Sequence, residues 1–82
     1  MNHSQLLERV TSDPNIMVGK PVIRGTRLTV EFILNLLALG SSVEEILNEY
    51  HDLTTEDIQA CLFFASQSLS NTTFMPLMAE SA

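Results

Sequence analysis

The sequence contains little that could hold a small domain together through covalent bonds or metal ions. Cys61 is the only cysteine, which excludes a disulfide within one chain. His3 and His51 are far apart and no cysteine accompanies either, so we expect no metal site. No apolar run approaches the ~18 residues of a membrane span, and the N-terminal residues do not resemble a secretory signal. Together with the unpaired cysteine, this predicts a cytoplasmic protein without a membrane contact.

Apolar packing must therefore supply most of the stability of these 82 residues. A core of this size rarely contributes more than ~3 to 5 kcal/mol without disulfides, metals or oligomerisation. Yet 45% of the residues are hydrophobic, a high share for a chain with so much surface per residue. We therefore expect some of these side chains to face another chain, in a homodimer or with a protein partner.

Basic residues are few and are confined to the first 27 positions. Residues 1–30 contain four basic and two acidic residues, a formal charge of +2, whereas residues 31–82 contain eight acidic residues and no Lys or Arg. An acidic surface repels nucleic acid at long range, so any contact with DNA must use the N-terminal third. The acidity of the remainder is most simply a means of keeping the chain soluble.

Turn and capping residues predict a single, mainly α domain over residues 1–69, followed by a C-terminal tail over 70–82. The predicted strands lie at about 9–12 and 26–29 and would pair as a ribbon; the predicted helices lie at about 30–39, 43–50 and 55–68. Two short helices joined by a tight turn, after a more apolar helix, are typical of a three-helix, homeodomain-like helix-turn-helix bundle.

Local signals mark the helix boundaries. Gly40 is well placed as the left-handed residue after the first predicted helix. Ser42 and Glu45 have the spacing of a capping box, and Thr54 can cap the third helix with Asp57 three residues later. Because the first predicted helix is apolar nearly all round, we expect it to be buried on most sides.

The stretch GKPVIRGTR contains three of the four basic residues of the chain. One interpretation is a DNA- or anion-binding site, in which cations bind phosphate and glycines let backbone amides approach it. Its candidate residues are Lys20, Arg24, Arg27, Gly19, Gly25 and Thr26. The alternative is structural: the glycines adopt positive φ and the cations pair with acidic helices, through Glu31 or Glu45. The sequence leaves both open.

The small number of basic residues limits how this stretch could bind DNA. A specific DNA-binding protein typically neutralises ~6 to 10 phosphates. One chain offers four cations and a two-fold dimer eight, so DNA binding is expected mainly of a dimer or of a complex with a basic partner. The first turn of the third predicted helix contains Glu56 and Asp57, which repel phosphate. These carboxylates are more simply expected to favour the helix dipole on a solvated face.

We expect neither an enzyme nor a cofactor or small-molecule substrate, since no nucleophile, base and orienting group occur together. His51 is most simply a turn residue and Cys61 a core residue. We assign contacts with a partner or second subunit to apolar side chains of the helices and tail; the alternatives for the tail are that it folds back over the domain's own apolar surface or is disordered. The assigned side chains are those of Phe32, Leu36, Phe63, Phe64, Phe74, Met75, Leu77 and Met78.

Residues 13–65 closely resemble the bacterial and archaeal family called domain of unknown function 433. The resemblance rests on the pattern G-K-P-x-I-x-G-T-R-x-x-V, the helix ending at Gly40, the capping-box helix, and the L-T-x-E-D opening of the third helix. Val18 stands where a second glycine is common, and the residues after Leu69 are not part of the shared core.

This resemblance implies a small helix-turn-helix-like domain with an N-terminal β element. Many members are described as antitoxins of VapBC-type modules, encoded beside a PIN-like nuclease. The implied function is an antitoxin or DNA-binding adaptor, dimeric, with a PIN-like nuclease toxin and operator DNA as partners. The alternative is a structural or assembly module without a nucleic-acid role, whose loop cations form ion pairs across its own dimer.

Overall fold

The structure, a computed structural model, describes residues 2–12, 15 and 19–70. The described residues form a mainly helical fold with a short antiparallel ribbon, which confirms the coarse prediction. They contain four helices rather than the three predicted. In chain order the elements are α1 (His3–Leu7), β1 (Val10–Thr11), β2 (Val22–Ile23), α2 (Val30–Ala38), α3 (Val43–Glu49) and α4 (Thr55–Ser70).

Helix α1 was not predicted, because its sequence is polar and short. Asn2 and Gln5 close a capping box at its start, in which each side chain accepts from the backbone N–H of the other residue. The helix packs against α4, and the rings of His3 and Phe63 lie 4.7 Å apart. Tertiary contact therefore stabilises a helix that is too short to form alone.

The ribbon joins β1 to β2, with Val10 opposite Ile23 and Thr11 opposite Val22. The second strand thus lies at Val22–Ile23, earlier than the predicted 26–29. Thr29 forms only an isolated bridge with Val22, and the Ile23 N–H donates to the Leu28 carbonyl at 2.9 Å. Val22 and Ile23 are both buried, which places them between β1 and the returning chain.

Capping side chains fix the starts of the longer helices. The Thr29 hydroxyl accepts from the Phe32 N–H at 3.0 Å, and Ser42 forms the capping box with Glu45. Gly40, at φ 106°, follows α2 in the left-handed region that glycine adopts without strain. These local signals set where α2 and α3 begin and where α2 ends.

The core lies where α2, α3 and α4 meet the ribbon. Its buried members are Ile23, Val30, Ile33, Ile46, Leu53, Ile58 and Cys61. The expectation that the first predicted helix is buried on most sides is wrong, since only Val30 and Ile33 of α2 are buried and Phe32 is 37% exposed. The other elements cover only part of the circumference of α2, so Leu34, Leu36 and Leu37 pack against the core but stay half-buried.

Within the described part of the chain, no helix combines the length and apolar character needed to cross a membrane.

Candidate functional site

The predicted cations lie in and before a tight turn between β2 and Thr29. Thr26 holds this turn together: its hydroxyl donates to the Ile23 carbonyl at 2.8 Å and accepts from the Leu28 N–H at 3.0 Å. Gly25 has φ 84°, and a Cβ built there would meet no atom within 4 Å. The turn therefore needs glycine for its backbone angle rather than for space. Arg24 and Arg27 flank Gly25 and Thr26.

Arg24 contacts the C-terminal end of α1. Its Nε donates to the Glu8 carbonyl at 2.6 Å, and its backbone N–H donates to the Arg9 carbonyl at 2.7 Å. Glu8 is the C-cap of α1, so the guanidinium lies where a helix leaves carbonyl groups unpaired. Arg24 thus stabilises the junction of α1 with the ribbon while its side chain remains exposed.

Lys20 pairs with the first turn of α2. Its Nζ lies 3.1 Å from Glu31 Oε1, and the two side chains are 58% and 66% exposed. Pairs this exposed contribute about 0 to 1 kcal/mol and are screened by salt. The ion pair therefore leaves both groups able to exchange partners. Nearby, Gly19 has φ 81° and its carbonyl accepts from the Ser12 hydroxyl.

Arg27 is exposed and forms no ion pair with another described residue. It lines an open groove between the turn and the α3–α4 connection, together with His51 and Asp52. His51 belongs to the turn after α3, where its Nε2 lies 2.7 Å from the Asn48 carbonyl oxygen. The three predicted cations thus share one segment of chain but have three different sets of neighbours.

An ion pair that sequence reasoning missed joins Arg9 to the start of α4. Arg9 Nη1 lies 3.1 Å from Asp57 Oδ1, and the Asp57 side chain is 10% exposed. The other carboxylate oxygen accepts from the Thr54 N–H at 3.0 Å. The expectation that Asp57 sits on a solvated face is therefore wrong. The L-T-x-E-D pattern identified Asp57 as a capping residue but contained no signal for a partner 48 positions away.

The apolar residues predicted for partner contact are only partly covered. Phe32 stacks edge-on against Tyr50, with ring centroids 5.7 Å apart, while Leu36, Phe63 and Phe64 are half-buried. The other predicted contact residues, Phe74, Met75, Leu77 and Met78, lie outside the described residues.

A second apolar feature is a groove between the first turns of α2 and the last turns of α4. We call it the α2–α4 groove. Its apolar lining consists of Pro21, Val30, Leu34, Phe64, Ala65 and Leu69, and its polar lining of Glu31, Asn35 and Ser68. Leu69 is 69% exposed, so the described residues leave this end of the groove uncovered. The sequence suggested only that some apolar surface would be left over, without locating it.

Cys61 lies in the core, as predicted. Burial raises the pKa of its thiol to about 12, and the Asp57 carboxylate acts in the same direction. The thiol is therefore protonated and unreactive in the folded protein. Over the residues that the structure describes, no three His, Cys, Asp or Glu side chains form a group that could hold a metal ion.

The fold and these surfaces define a small, mainly helical domain with a two-stranded ribbon, a cationic turn and acidic helices. The profile of the family described as "Protein of unknown function (DUF433)" matches residues 10–65, and the chain belongs to this family. The family predicted from the sequence is thus confirmed.

Two similar proteins support this assignment. The crystal structure of a DUF433 member from Anabaena variabilis has a TM-score of 0.72 and 28% identity, covering 84% of this chain and 69% of that one. "Uncharacterized protein y4eO" of Sinorhizobium fredii is 41% identical over 58 residues, or 71% of this chain. The match spans about a quarter of that relative, 26% of its length.

Proposed function

We propose that this domain is an adaptor of the antitoxin type, dimeric, which holds a protein partner in its α2–α4 groove. The observation that carries the proposal is an open groove with an apolar lining, which is mostly half-buried and ends in Leu69 at 69% exposure. A domain with so small a core gains little from leaving leucine in water, whereas a partner that covers Leu34, Phe64 and Leu69 gains their burial.

The nature of the partner is taken from the family resemblance, which favours a PIN-like nuclease encoded by the adjacent gene. The dimer contact is assigned to the other side of α2, at Phe32 and Leu36, because Phe32 remains more than one third exposed there. In the helix-turn-helix interpretation α3 and α4 form the paired helices. Asp57 is then engaged with Arg9 rather than free to face DNA.

Co-expression with the adjacent gene product tests the proposal. We expect the two proteins to co-purify, and Leu69→Gln to weaken their affinity more than about tenfold because most of one leucine burial is lost. Leu39→Gln is the matched control: it removes the same side chain from an exposed site outside the groove and should leave the affinity unchanged. The proposal is contradicted if neither substitution changes the affinity of the neighbour-encoded protein, or if that protein does not bind at all.

Contact with operator DNA is the second part of the proposed function, and the exposed guanidinium of Arg27 favours it. A specific observation also favours the alternative, an assembly module without a nucleic-acid role. Arg9 and Lys20 pair with carboxylates, and Arg24 donates to a carbonyl of its own chain.

Fluorescence anisotropy with the promoter DNA of the gene, at several salt concentrations, separates these two possibilities. The adaptor with a DNA role predicts binding that weakens steeply with salt and is lost in the double variant Arg24→Glu, Arg27→Glu. The assembly module predicts no binding by the wild-type protein and a weaker dimer in the same variant. The single variant Arg27→Glu serves as the cleaner probe, since Arg24 also supports the end of α1.

A further inference from the structure

The α2–α4 groove combines an apolar floor with an exposed carboxylate at its edge, which is paired with Lys20. Among the described residues that line it, Glu31 is the one with a charge, and its side chain is 66% exposed. From residue 31 to residue 82 the sequence contains no Lys or Arg. The charged side chains of helices α2, α3 and α4 are therefore all acidic, and the cation beside the groove is Lys20, next to Glu31.

The last turn of α4 lies at the same groove. Leu69 lies in the last turn of α4, and that turn contains no basic residue. The C-terminal end of a helix has the negative end of its dipole, which basic side chains commonly offset. Here no side chain of α4 does so, and a cation brought by another molecule would be attracted there.

We infer that the α2–α4 groove binds an amphipathic helix of a partner protein that carries Lys or Arg beside its apolar face. The apolar face covers Leu34, Phe64 and Leu69, and the flanking cations approach Glu31 and the end of α4. This inference rests on the proposed function, because it takes the groove to be the partner site and adds the chemistry of the partner.

Charge also disfavours a second copy of this chain as the occupant. Two copies joined groove to groove would bring two Glu31 carboxylates and two helix ends without basic residues together, in a protein with a net charge of −6. Each copy contributes only Lys20 against them, and that cation already lies beside its own Glu31. A basic partner removes this conflict.

The test uses two synthetic helical peptides of about 15 residues, a length at which an Ala-rich helix begins to be stable. Both carry Leu at i, i+3, i+4 and i+7; one has Lys at the flanking positions and the other has Glu. We expect the full-length protein to bind the Lys peptide about tenfold more tightly than the Glu peptide at low salt, from a few exposed charge pairs. The difference should shrink at about 1 M salt, where the Debye length is ~3 Å.

Two substitutions of exposed side chains should have opposite effects on the affinity for the Lys peptide. Glu31→Gln removes the acid and frees Lys20, so affinity for the Lys peptide should fall severalfold. Lys20→Gln frees Glu31, so affinity for the same peptide should rise. Glu44→Gln is the matched control, because it removes one exposed carboxylate from α3, outside the groove, and should change little.

Several outcomes overturn the inference: equal affinity for both peptides, no binding of the Lys peptide at about 1 mM, or a dimer that Leu69→Gln dissociates and Leu39→Gln does not. The last result would assign the groove to a second copy. A neighbour-encoded protein that binds through Leu69 with no dependence on Glu31 or Lys20 would support the proposed function and overturn this inference alone. Charge-dependent peptide binding without any neighbour-encoded partner would support this inference and overturn the proposed function.

Discussion

Replacing Ile33 by alanine should leave the domain largely unfolded at 25 °C. Ile33 is completely buried where α2 meets the rest of the core. Deleting a buried isoleucine to alanine costs about 2 to 5 kcal/mol, and a core this small rarely supplies more than ~3 to 5 kcal/mol. The loss is therefore comparable to the whole stability of the domain. Urea titration followed by far-ultraviolet circular dichroism measures it.

Two variants calibrate this result. Ile33→Val removes one methylene group and should cost about 0.5 to 1.5 kcal/mol, leaving a folded but weaker domain. Leu39→Ala makes the larger deletion at the C-cap of the same helix, where the side chain is 86% exposed, and should stay within about 0.5 kcal/mol. If Ile33→Ala unfolds at the same urea concentration as Leu39→Ala, the core does not pass through α2 as described.

The second large effect is expected from Asp57→Ala, at about 2 to 3 kcal/mol of unfolding free energy. The substitution removes the acceptor for the Thr54 N–H and leaves Arg9 without its carboxylate. Because the Arg9 side chain is one third exposed, at 34%, water can solvate its guanidinium once the carboxylate is gone, which reduces the loss of stability. Glu56→Ala, at the neighbouring position, should change stability by less than about 0.5 kcal/mol.

A double-mutant cycle separates the ion pair from the cap. Arg9→Met retains much of the apolar stem, and Asp57→Asn retains the shape and an acceptor for the Thr54 N–H. We expect a coupling energy of about 1 kcal/mol between the two sites, which salt reduces. Additive effects would mean that Asp57 acts only as a helix cap.

The parts of the fold that sequence reasoning located are those with local signals. Ser42 with Glu45, and Gly40 after α2, satisfy or end a helix using residues three or four positions away. The interactions involved lie within about one helical turn, so the residue types alone predict where the helix begins or ends. The family pattern around Gly19 to Arg27 is local in the same sense.

The features that sequence reasoning missed depend on distant parts of the chain. Val22 and Ile23 have no alternation to mark them as a strand, and their place between β1 and Thr29 is set by burial. The Arg9–Asp57 pair joins positions 48 apart. For α2, an apolar sequence predicted burial, but how far it is buried depends on how much of its surface α3 and α4 reach.

In the candidate site, too, the sequence predicted the local features but not the contacts with distant residues. Arg24, Gly25, Thr26 and Arg27 could be identified as a special stretch, and they do form one turn. Where each guanidinium goes could not be predicted, since Arg24 depends on the position of Glu8 and Arg27 on that of the α3–α4 connection. The α2–α4 groove exists only after α4 has folded back along α2.

Cys61 is a natural probe of folding in this protein, so no label or tag has to be introduced. It is the single thiol of the chain, it lies in the core, and its pKa of about 12 keeps it protonated. Because the side chain is completely buried, an alkylating reagent can reach it only in molecules whose core has opened. Mass spectrometry of alkylated chains, sampled from a crude extract over time, would measure how fast the core opens, with and without a partner present, and needs neither a tag nor purification.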